Sequence, residues 1–432
     1  MFKTDTLIVG AGMTGLACAR TLQEQGRDFL LIEANDAPGG RVRTFQQDGF
    51  LLDRGFQLYL EAYPEGRRWL DYEALDFQAF YPGAQIMLPE GPCLLGDPLR
   101  KPQDIFATVL AQVGTPLDKL KILNLRRYVQ QHSLDSLMHS LSQQADLSTA
   151  LALRSWGFSE PFIQQFFQPF LGGVFLDPEL STSASMFYFV MKMFAEGRAV
   201  LPAKGMQQIP EQMARWIPAE QLWYHCALQQ LTAQGDGRQQ WHTLTLQREG
   251  QAITVQARQL VIATDARQAQ DILGNRVPPV PFQGSRTLYF VAEEEPVASP
   301  ILVLNGIGTG PVNHLVNLSQ VSPAYAPQGK HLISVSVLGP YQTLPLTPLL
   351  AAIQTQMGQW FGGSGQWHFL SDMFLPESLP QQRPPRLQRP SRTPLGPAPG
   401  IFVGGDYTET ASIQGALQAG RKLALSLIDE VP

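Results

Sequence analysis

Gly10, Gly12 and Gly15 stand in the spacing GxGxxG, with Met13 and Thr14 before the last glycine and Glu33 eighteen residues beyond it. Such a run can bind phosphate. The first glycine permits a tight turn, the second lets a pyrophosphate approach the backbone, and the third lets the following helix lie close to a sheet. Free N–H groups and the positive end of that helix then face the anion. Glu33, followed by Ala34, is placed to accept hydrogen bonds from an adenosine ribose. Downstream, in EANDAPGGRVRTF (33–45), Gly39 and Gly40 can expose successive N–H groups while Arg41 and Arg43 bring cationic forks to the same end. Arg43 has a competing reading as a surface partner of Asp48. The chemistry indicated is dinucleotide binding, with a second phosphate clamp that a nicotinamide-only domain would not use.

The elements needed to position these residues are legible around them. TLIVGAGMTGLACARTLQEQGRDFLLIEA (6–34) reads as strand, glycine turn, helix and second strand, and its continuous apolar runs imply a buried parallel sheet. At the other end, GIFVGGDYTETASIQGALQAGRKLALSLI (400–428) reads as a short strand, Gly405 and Asp406, then a helix carrying Gly415, Ala416, Ala419 and Gly420. Glycine inside a helix costs about 0.5 to 1 kcal/mol relative to alanine, so two of them suggest that something large approaches the backbone.

The 432 residues allow two or three domains and a sizeable core. Three cysteines, Cys18, Cys93 and Cys226, form no CxxC and no disulfide framework, which fits a reducing compartment. A net charge of -5 without a basic tract argues against nucleic acid as a partner. The first strand is expected to begin within five residues, so that no leader is expected before the fold. No apolar run approaches the roughly 18 to 20 residues needed to span a bilayer. The reading is cytoplasmic, with contact at a membrane surface left open and the oligomeric state undetermined.

These residues resemble those of the flavoprotein superfamily that includes amine oxidases, protoporphyrinogen oxidase and phytoene (carotenoid) desaturases. The family pattern has GxGxxGLxxA…E…GGRxxT near the start and a GD segment leading into a helix at the end. Here it is met by Gly10, Gly12, Gly15, Leu16, Ala19, Glu33, Gly39, Gly40, Arg41 and Thr44, then by Gly405 and Asp406 with a helix from about Ser412. The resemblance implies non-covalent FAD extended between the two ends of the chain. Glu33 would hold the ribose, Gly39 to Arg41 the pyrophosphate, Asp406 the ribityl or phosphate portion, and the backbone near Ser412 and Ile413 the pyrimidine edge. The terminal helix would aim its positive end at the flavin N1–C2=O region. Its small residues would keep it close to the cofactor and the first helix. The implied fold class is α/β, a Rossmann-like FAD-binding domain of the GR2 type with an α+β substrate domain built from insertions.

Five segments follow from this reading: 1–74, 196–275 and 396–432 form the FAD-binding domain, 75–195 a largely helical substrate insertion, and 276–395 an antiparallel-sheet substrate domain. The strand in EQLWYHCALQQLTAQ resembles the one flanking the adenine, with backbone at Ala227 and Leu228 as the contact. The segment 244–266, ending in Ala263, Thr264 and Asp265, resembles the return to the FAD domain, and 199–217 resembles the LPxGGM turn with a single glycine, Gly205. The Phe- and Met-rich stretch 161–197 is expected to break at Gly172–Gly173 and resume behind a Ser or Thr cap near Asp177. Prolines in 376–399 exclude a continuous helix or central strand; the stretch reads as an ordered extended crossing, with a disordered linker as the alternative. The stretch 316–335 resembles SxVxPxYAPxGxxLxSV of desaturase-like members. It is either a proline-bounded surface loop or a mouth segment carrying Tyr325 toward substrate.

Because FAD itself carries the redox chemistry, the protein need supply only orientation, exclusion of water and tuning. Substrate-side candidates are confined to Tyr325 and Tyr407. Seven histidines show no metal-ligand spacing, so no metal is expected and each reads as structural. Lys330, beside a turn glycine, reads as solvated rather than as the flavin-facing lysine of amine oxidases. The sequence therefore points to an FAD-dependent oxidoreductase of desaturase or oxidase type. It would pass hydride to flavin N5 from a small apolar, carotenoid- or isoprenoid-like substrate, entering between the insertions past Phe162, Phe166, Phe167, Phe170, Phe187 and Phe189. Two alternatives stand beside it, an amine or amino-acid oxidase of the same superfamily and a non-catalytic FAD-binding protein. With one dinucleotide fingerprint there is no site for NAD(P)H, and oxygen, a quinone or another acceptor would reoxidise the flavin.

Overall fold

In a computed structural model, which describes residues 2–143, 146–234, 241–362, 367–385 and 400–429, the apolar runs become neighbours in a seven-stranded sheet. Phe2–Val9 lies between Phe29–Ile32 and Gln251–Ile262, parallel to both. The edges are Leu222–Trp223 on one side and, on the other, the antiparallel strands Trp241–Arg248 and Cys226–Gln234. Ile401–Val403 also joins Gln251–Ile262, parallel to its last residues, so the chain's final segment sits beside its first. Alternate side chains serve two cores: Ile8 and Leu31 face the helical side, Leu7, Val9, Leu30 and Ile32 face Leu244, Leu246, Ala269 and Leu273. Both faces are covered, which is why these strands read as unbroken apolar runs.

The first helix, Met13–Glu24, packs on this sheet with the terminal helix, Ile413–Asp429, against it. Gly420 makes that contact, since a Cβ there would stand 2.1 Å from the Thr14 carbonyl oxygen. Gly415 instead admits the Thr410 carbonyl of its own loop, 1.9 Å from where a Cβ would be. The two glycines are thus used by protein packing, and of the four small residues only Ala416 lines the cavity described below.

A second seven-stranded sheet runs in the order Trp367–Pro380, Phe282–Ala292, His331–Val337, Val312–Asn317, Leu302–Asn305, Gly83–Leu88, Gly91–Gly96. The segment 75–195, expected to be largely helical, therefore opens with a hairpin that completes this sheet, and Leu302–Asn305 pairs parallel to Gly83–Leu88. One face packs on the helix Leu346–Phe361 through Leu349, Ile353 and Met357. The other meets the helical insertion, whose helices include Pro116–Gln131, Gln168–Phe175 and Ala184–Glu196.

One local expectation needs correction. Gly172–Gly173 does not break its helix, which continues to Phe175 and ends at Leu176 with φ 53°. The glycines serve close approach: a Cβ at Gly173 would lie 2.9 Å from His314 Nδ1, and one at Gly172 3.3 Å from Pro178 Cα. The following helix is capped by Ser183, whose side chain accepts from the Ser185 N–H, while Asp177 accepts from Thr182. Of the proline-rich stretch, residues 376–380 lie in Trp367–Pro380, a strand at the sheet edge that tolerates missing donors. Residues 386–399 lie outside the described residues. Among the described residues no helix is long and apolar enough to cross a membrane.

Candidate active site

The tight turn after the first strand is made by Gly10, whose φ of 100° suits glycine and whose Cβ would crowd the Ala263 carbonyl at 3.2 Å. Gly15 packs inward, a Cβ there standing 1.9 Å from the Gly10 carbonyl oxygen, so it positions the turn and does not line the cavity. Gly12 is different: nothing lies within 4 Å of a Cβ built on it, because that side opens into the cavity. As N-cap of Met13–Glu24 it contributes no side-chain cap, which leaves the helix's first N–H groups at Met13 and Thr14 facing the same space.

The loop carrying Gly39 and Gly40 folds onto this turn. The Gly39 N–H donates to the Ala11 carbonyl at 2.9 Å, and φ values of 120° and 59° at the two glycines expose the backbone. Arg41 next to them donates to Asp406 Oδ1 at 2.7 Å and to the Ser378 carbonyl at 2.9 Å, tying the N-terminal loop to the terminal segment and the edge strand. Burial pulls the Arg41 pKa down, but the Asp406 carboxylate more than offsets it and holds the guanidinium charged. Arg43 points elsewhere; it pairs with Asp36, not Asp48.

Glu33 is buried at the end of Phe29–Ile32, where its carboxylate accepts from the Ala11 N–H at 2.9 Å and from both the N–H and the side-chain amide of Asn35, at 3.0 and 2.7 Å. Asn35, not the exposed Ala34, shares the cavity wall with it. Ala263, Gly405, Asp406, Ser412 and Ile413 complete this end. The Ser412 hydroxyl accepts from the Gly415 N–H at 3.0 Å, capping the terminal helix. Leu228 does not line the cavity and packs on the core beneath the sheet.

From these residues a cavity of about 1720 Å³ runs into the helical insertion. Of the six phenylalanines singled out above, Phe166, Phe170 and the fully buried Phe189 stand along it, whereas Phe162, Phe167 and Phe187 are core residues away from it. Met186, Met191 and Phe194 extend the apolar wall. Four charged groups on the remaining wall are paired: Arg126 meets Asp97 at 2.5 Å and Arg198 meets Glu61 through two hydrogen bonds of 2.7 and 2.5 Å.

Neither tyrosine candidate reaches this space. Tyr325 is fully buried and belongs to neither a surface loop nor a mouth; its hydroxyl donates to Asp53 Oδ2 at 2.7 Å. Asp53 also accepts from the Thr44 hydroxyl and the Met206 N–H, and burial raises its pKa despite these partners. The network is a clamp between the substrate sheet and the FAD-side loops. Tyr407 lies against the second core, with its ring 2.5 Å from where a Gly405 Cβ would be.

Several cavity residues were not singled out by the sequence. Arg54 donates to the Gly40 carbonyl at 3.3 Å and Gln57 to the Arg41 and Arg54 carbonyls at 2.9 and 2.8 Å. His314, read as a structural histidine, is buried against Phe56 at the cavity wall; Nδ1 meets the Asn313 amide at 2.9 Å, and Nε2 has no hydrogen-bond partner among the described residues. Burial lowers its pKa to about 4, so the ring is neutral at pH 7. No local spacing marks a lone histidine on an apolar strand as a wall residue.

A family model described as flavin containing amine oxidoreductase matches residues 13–428. The chain belongs to this family. Wild-type putrescine oxidase bound to putrescine superposes with a TM-score of 0.72 at 16% identity, covering 99% of this chain and 100% of that one, a likeness of fold. Protoporphyrinogen oxidase 2 of Arabidopsis thaliana is 33% identical over 96 residues, 20% of this chain and 19% of that protein. The zeta-carotene-forming phytoene desaturase of Myxococcus xanthus is 42% identical over 76 residues, 16% of this chain and 15% of the desaturase. These matched stretches are less than a quarter of either relative's length. The family places the molecule among FAD-dependent oxidoreductases, with the GR2-type FAD-binding fold and an α+β substrate domain. The open space over Gly12, the uncapped helix start and the Gly39–Arg41 loop fit an extended dinucleotide.

Proposed function

We propose that the chain binds FAD non-covalently at the glycine end of the cavity and oxidises a substrate with a large apolar body held among the helices of the insertion. Met13, Thr14, Gly39 and Gly40 would bind the pyrophosphate through backbone N–H groups, Glu33 the ribose, and the start of the terminal helix the flavin end. Bound there, FAD supplies the acceptor for a hydride taken from the substrate. The protein's own contribution is to orient and to exclude water: Phe166, Phe170 and Phe189 form a wall on which an apolar body can lie. The observation that carries this reading is the cavity itself, which continues from the phosphate turn into that aromatic wall and exceeds the roughly 300–1,000 Å³ of common ligand pockets. The desaturase-like stretch at 316–335 supports an isoprenoid-like substrate, although its Tyr325 serves the Asp53 clamp.

A second reading, oxidation of an amine or amino acid, is the one the family description and the full-length likeness to putrescine oxidase favour over a desaturase. Against it, the lysines on the cavity wall are Lys101, set over the Tyr81 ring, and Lys119, bonded to the Val109 and Ala111 carbonyls. Anaerobic mixing separates the two. A detergent-solubilised isoprenoid or polyene is expected to bleach the flavin absorbance, with reoxidation by oxygen or a quinone. Bleaching by amines alone would establish the second reading, and rapid bleaching by NADH or NADPH would contradict both.

A further inference from the structure

His314 offers a hydrogen bond that nothing in the fold takes up. It stands on the strand Val312–Asn317 of the second sheet, is 4% exposed, and lies on the cavity wall. The side-chain amide nitrogen of Asn313 donates to the Pro169 carbonyl at 2.9 Å, which fixes the orientation of that amide, and the same nitrogen meets His314 Nδ1 at 2.9 Å. An amide nitrogen only donates, so Nδ1 is the accepting nitrogen of the ring and the proton sits on Nε2. Burial lowers the pKa of the ring to about 4, so at pH 7 it is uncharged and this N–H is its one donor. Among the described residues no group accepts from it. Gly173 seats the pair, since a Cβ there would stand 2.9 Å from His314 Nδ1 and 3.2 Å from the Asn313 amide nitrogen.

The neighbours of the ring belong to both halves of the cavity. Phe56 packs edge-on against it with ring centroids 5.0 Å apart, and on either side of Phe56 in the chain Arg54 and Gln57 hold the Gly40 and Arg41 carbonyls of the dinucleotide end. Gly173 belongs to Gln168–Phe175, the helix that brings Phe170 and Val174 to the apolar wall. An aromatic ring is a weak acceptor, and a buried N–H without a partner is costly. Phe56 is only half-buried and itself lines the cavity, so it can yield to a stronger acceptor. We propose that the Nε2–H of His314 donates to an oxygen of the substrate, a carbonyl, hydroxyl or carboxylate oxygen, and so selects an apolar molecule that carries such an oxygen over a bare hydrocarbon. This rests on the apolar-substrate reading of the same cavity and narrows its substrate class. The role of His314 is specificity: it donates a hydrogen bond and transfers no proton.

The test compares two probes on the FAD-loaded full chain by calorimetry in detergent: farnesylacetone, an isoprenoid ketone, and the hydrocarbon of the same carbon skeleton. The ketone is expected to bind at least about tenfold more tightly. His314→Phe should abolish that preference by weakening the ketone alone, whereas His314→Gln, which keeps an amide N–H, should retain part of it. The comparison in the unaltered chain and in His314→Gln decides the matter even where His314→Phe does not fold. Equal binding of the two probes, or a preference that survives His314→Phe, would overturn the proposal and leave the apolar-substrate reading standing. A changed flavin spectrum or FAD affinity in ligand-free His314→Phe would also overturn it, by giving the N–H to the cofactor. If neither probe binds and an amino acid reduces the flavin with kcat/KM about tenfold lower in His314→Phe, the hydrogen bond stands, made to the carboxylate, and the apolar-substrate reading falls. Reduction by oxygen-free amines alone, equal in both proteins, removes both.

Discussion

At the scale of single residues, Gly12 separates binding from folding. Its φ of -70° is open to alanine, and a Cβ there meets no protein atom. Removing glycine's freedom stabilises by about 0.4 to 1 kcal/mol, while alanine is a poorer N-cap by a similar amount. Gly12→Ala should therefore leave apo-protein stability within about 1 kcal/mol, yet weaken FAD binding at least about tenfold because the methyl group enters the pyrophosphate's space. Thermal melts of the apo forms and FAD titrations check both halves. His314 makes a pH prediction. Its pKa is lowered by burial from 6.5 to about 4, so between those values the unfolded chain holds a proton that the folded chain does not. Its contribution is complete above pH 6.5 and falls as pH drops toward 4, by about 3 kcal/mol in all at 1.36 kcal/mol per unit. Denaturant unfolding at several pH values should show this loss, and His314→Gln should flatten it. The glycines and Glu33 were legible because phosphate chemistry dictates their spacing. His314, Arg54 and Gln57 were not, since tertiary approach alone brings them to the cavity.

At the scale of elements, the pairing of Met13–Glu24 with Ile413–Asp429 joins the chain's two ends beside the cavity. A methyl group at Gly420 would fall 2.1 Å from the Thr14 carbonyl and 2.9 Å from the Cys18 amide nitrogen, both backbone atoms. Gly420→Ala should push the helices apart, costing about 1 to 3 kcal/mol in urea unfolding, typical of overpacking, and should lower FAD content because Met13 and Thr14 move with the helix. Unchanged stability and cofactor content would show that the contact is not needed. The resemblance gave the use of Gly420, close packing on the first helix, but not that of Gly415, which admits the Thr410 carbonyl. A helix glycine signals close approach, and only the fold tells whether a cofactor, a loop carbonyl or another helix approaches. The same holds for Gly172 and Gly173, which read as a break and act as seats for Pro178 and His314. The strands of the first sheet were readable from their continuous apolar runs. The hairpin Gly83–Gly96 was not, because its sheet partners lie more than 200 residues away.

At the scale of the whole molecule, three distant segments meet where Arg41 bonds Asp406 and Ser378, and the Asp53 clamp draws in Thr44, Met206 and Tyr325. The FAD-side architecture could be read in advance because both of its ends carry motifs. The role of Tyr325 could not, since a tyrosine after a proline is equally compatible with a loop, a mouth or a buried clamp until the sheet folds over it. The central claim is that these segments assemble one FAD site at the head of an apolar cavity. The most direct measurement is to denature the purified protein, separate the chain from small molecules, and identify and count the released chromophore. About one FAD per chain, freed without proteolysis, is the predicted result. A chain that releases no flavin and takes up none when FAD is added would contradict it.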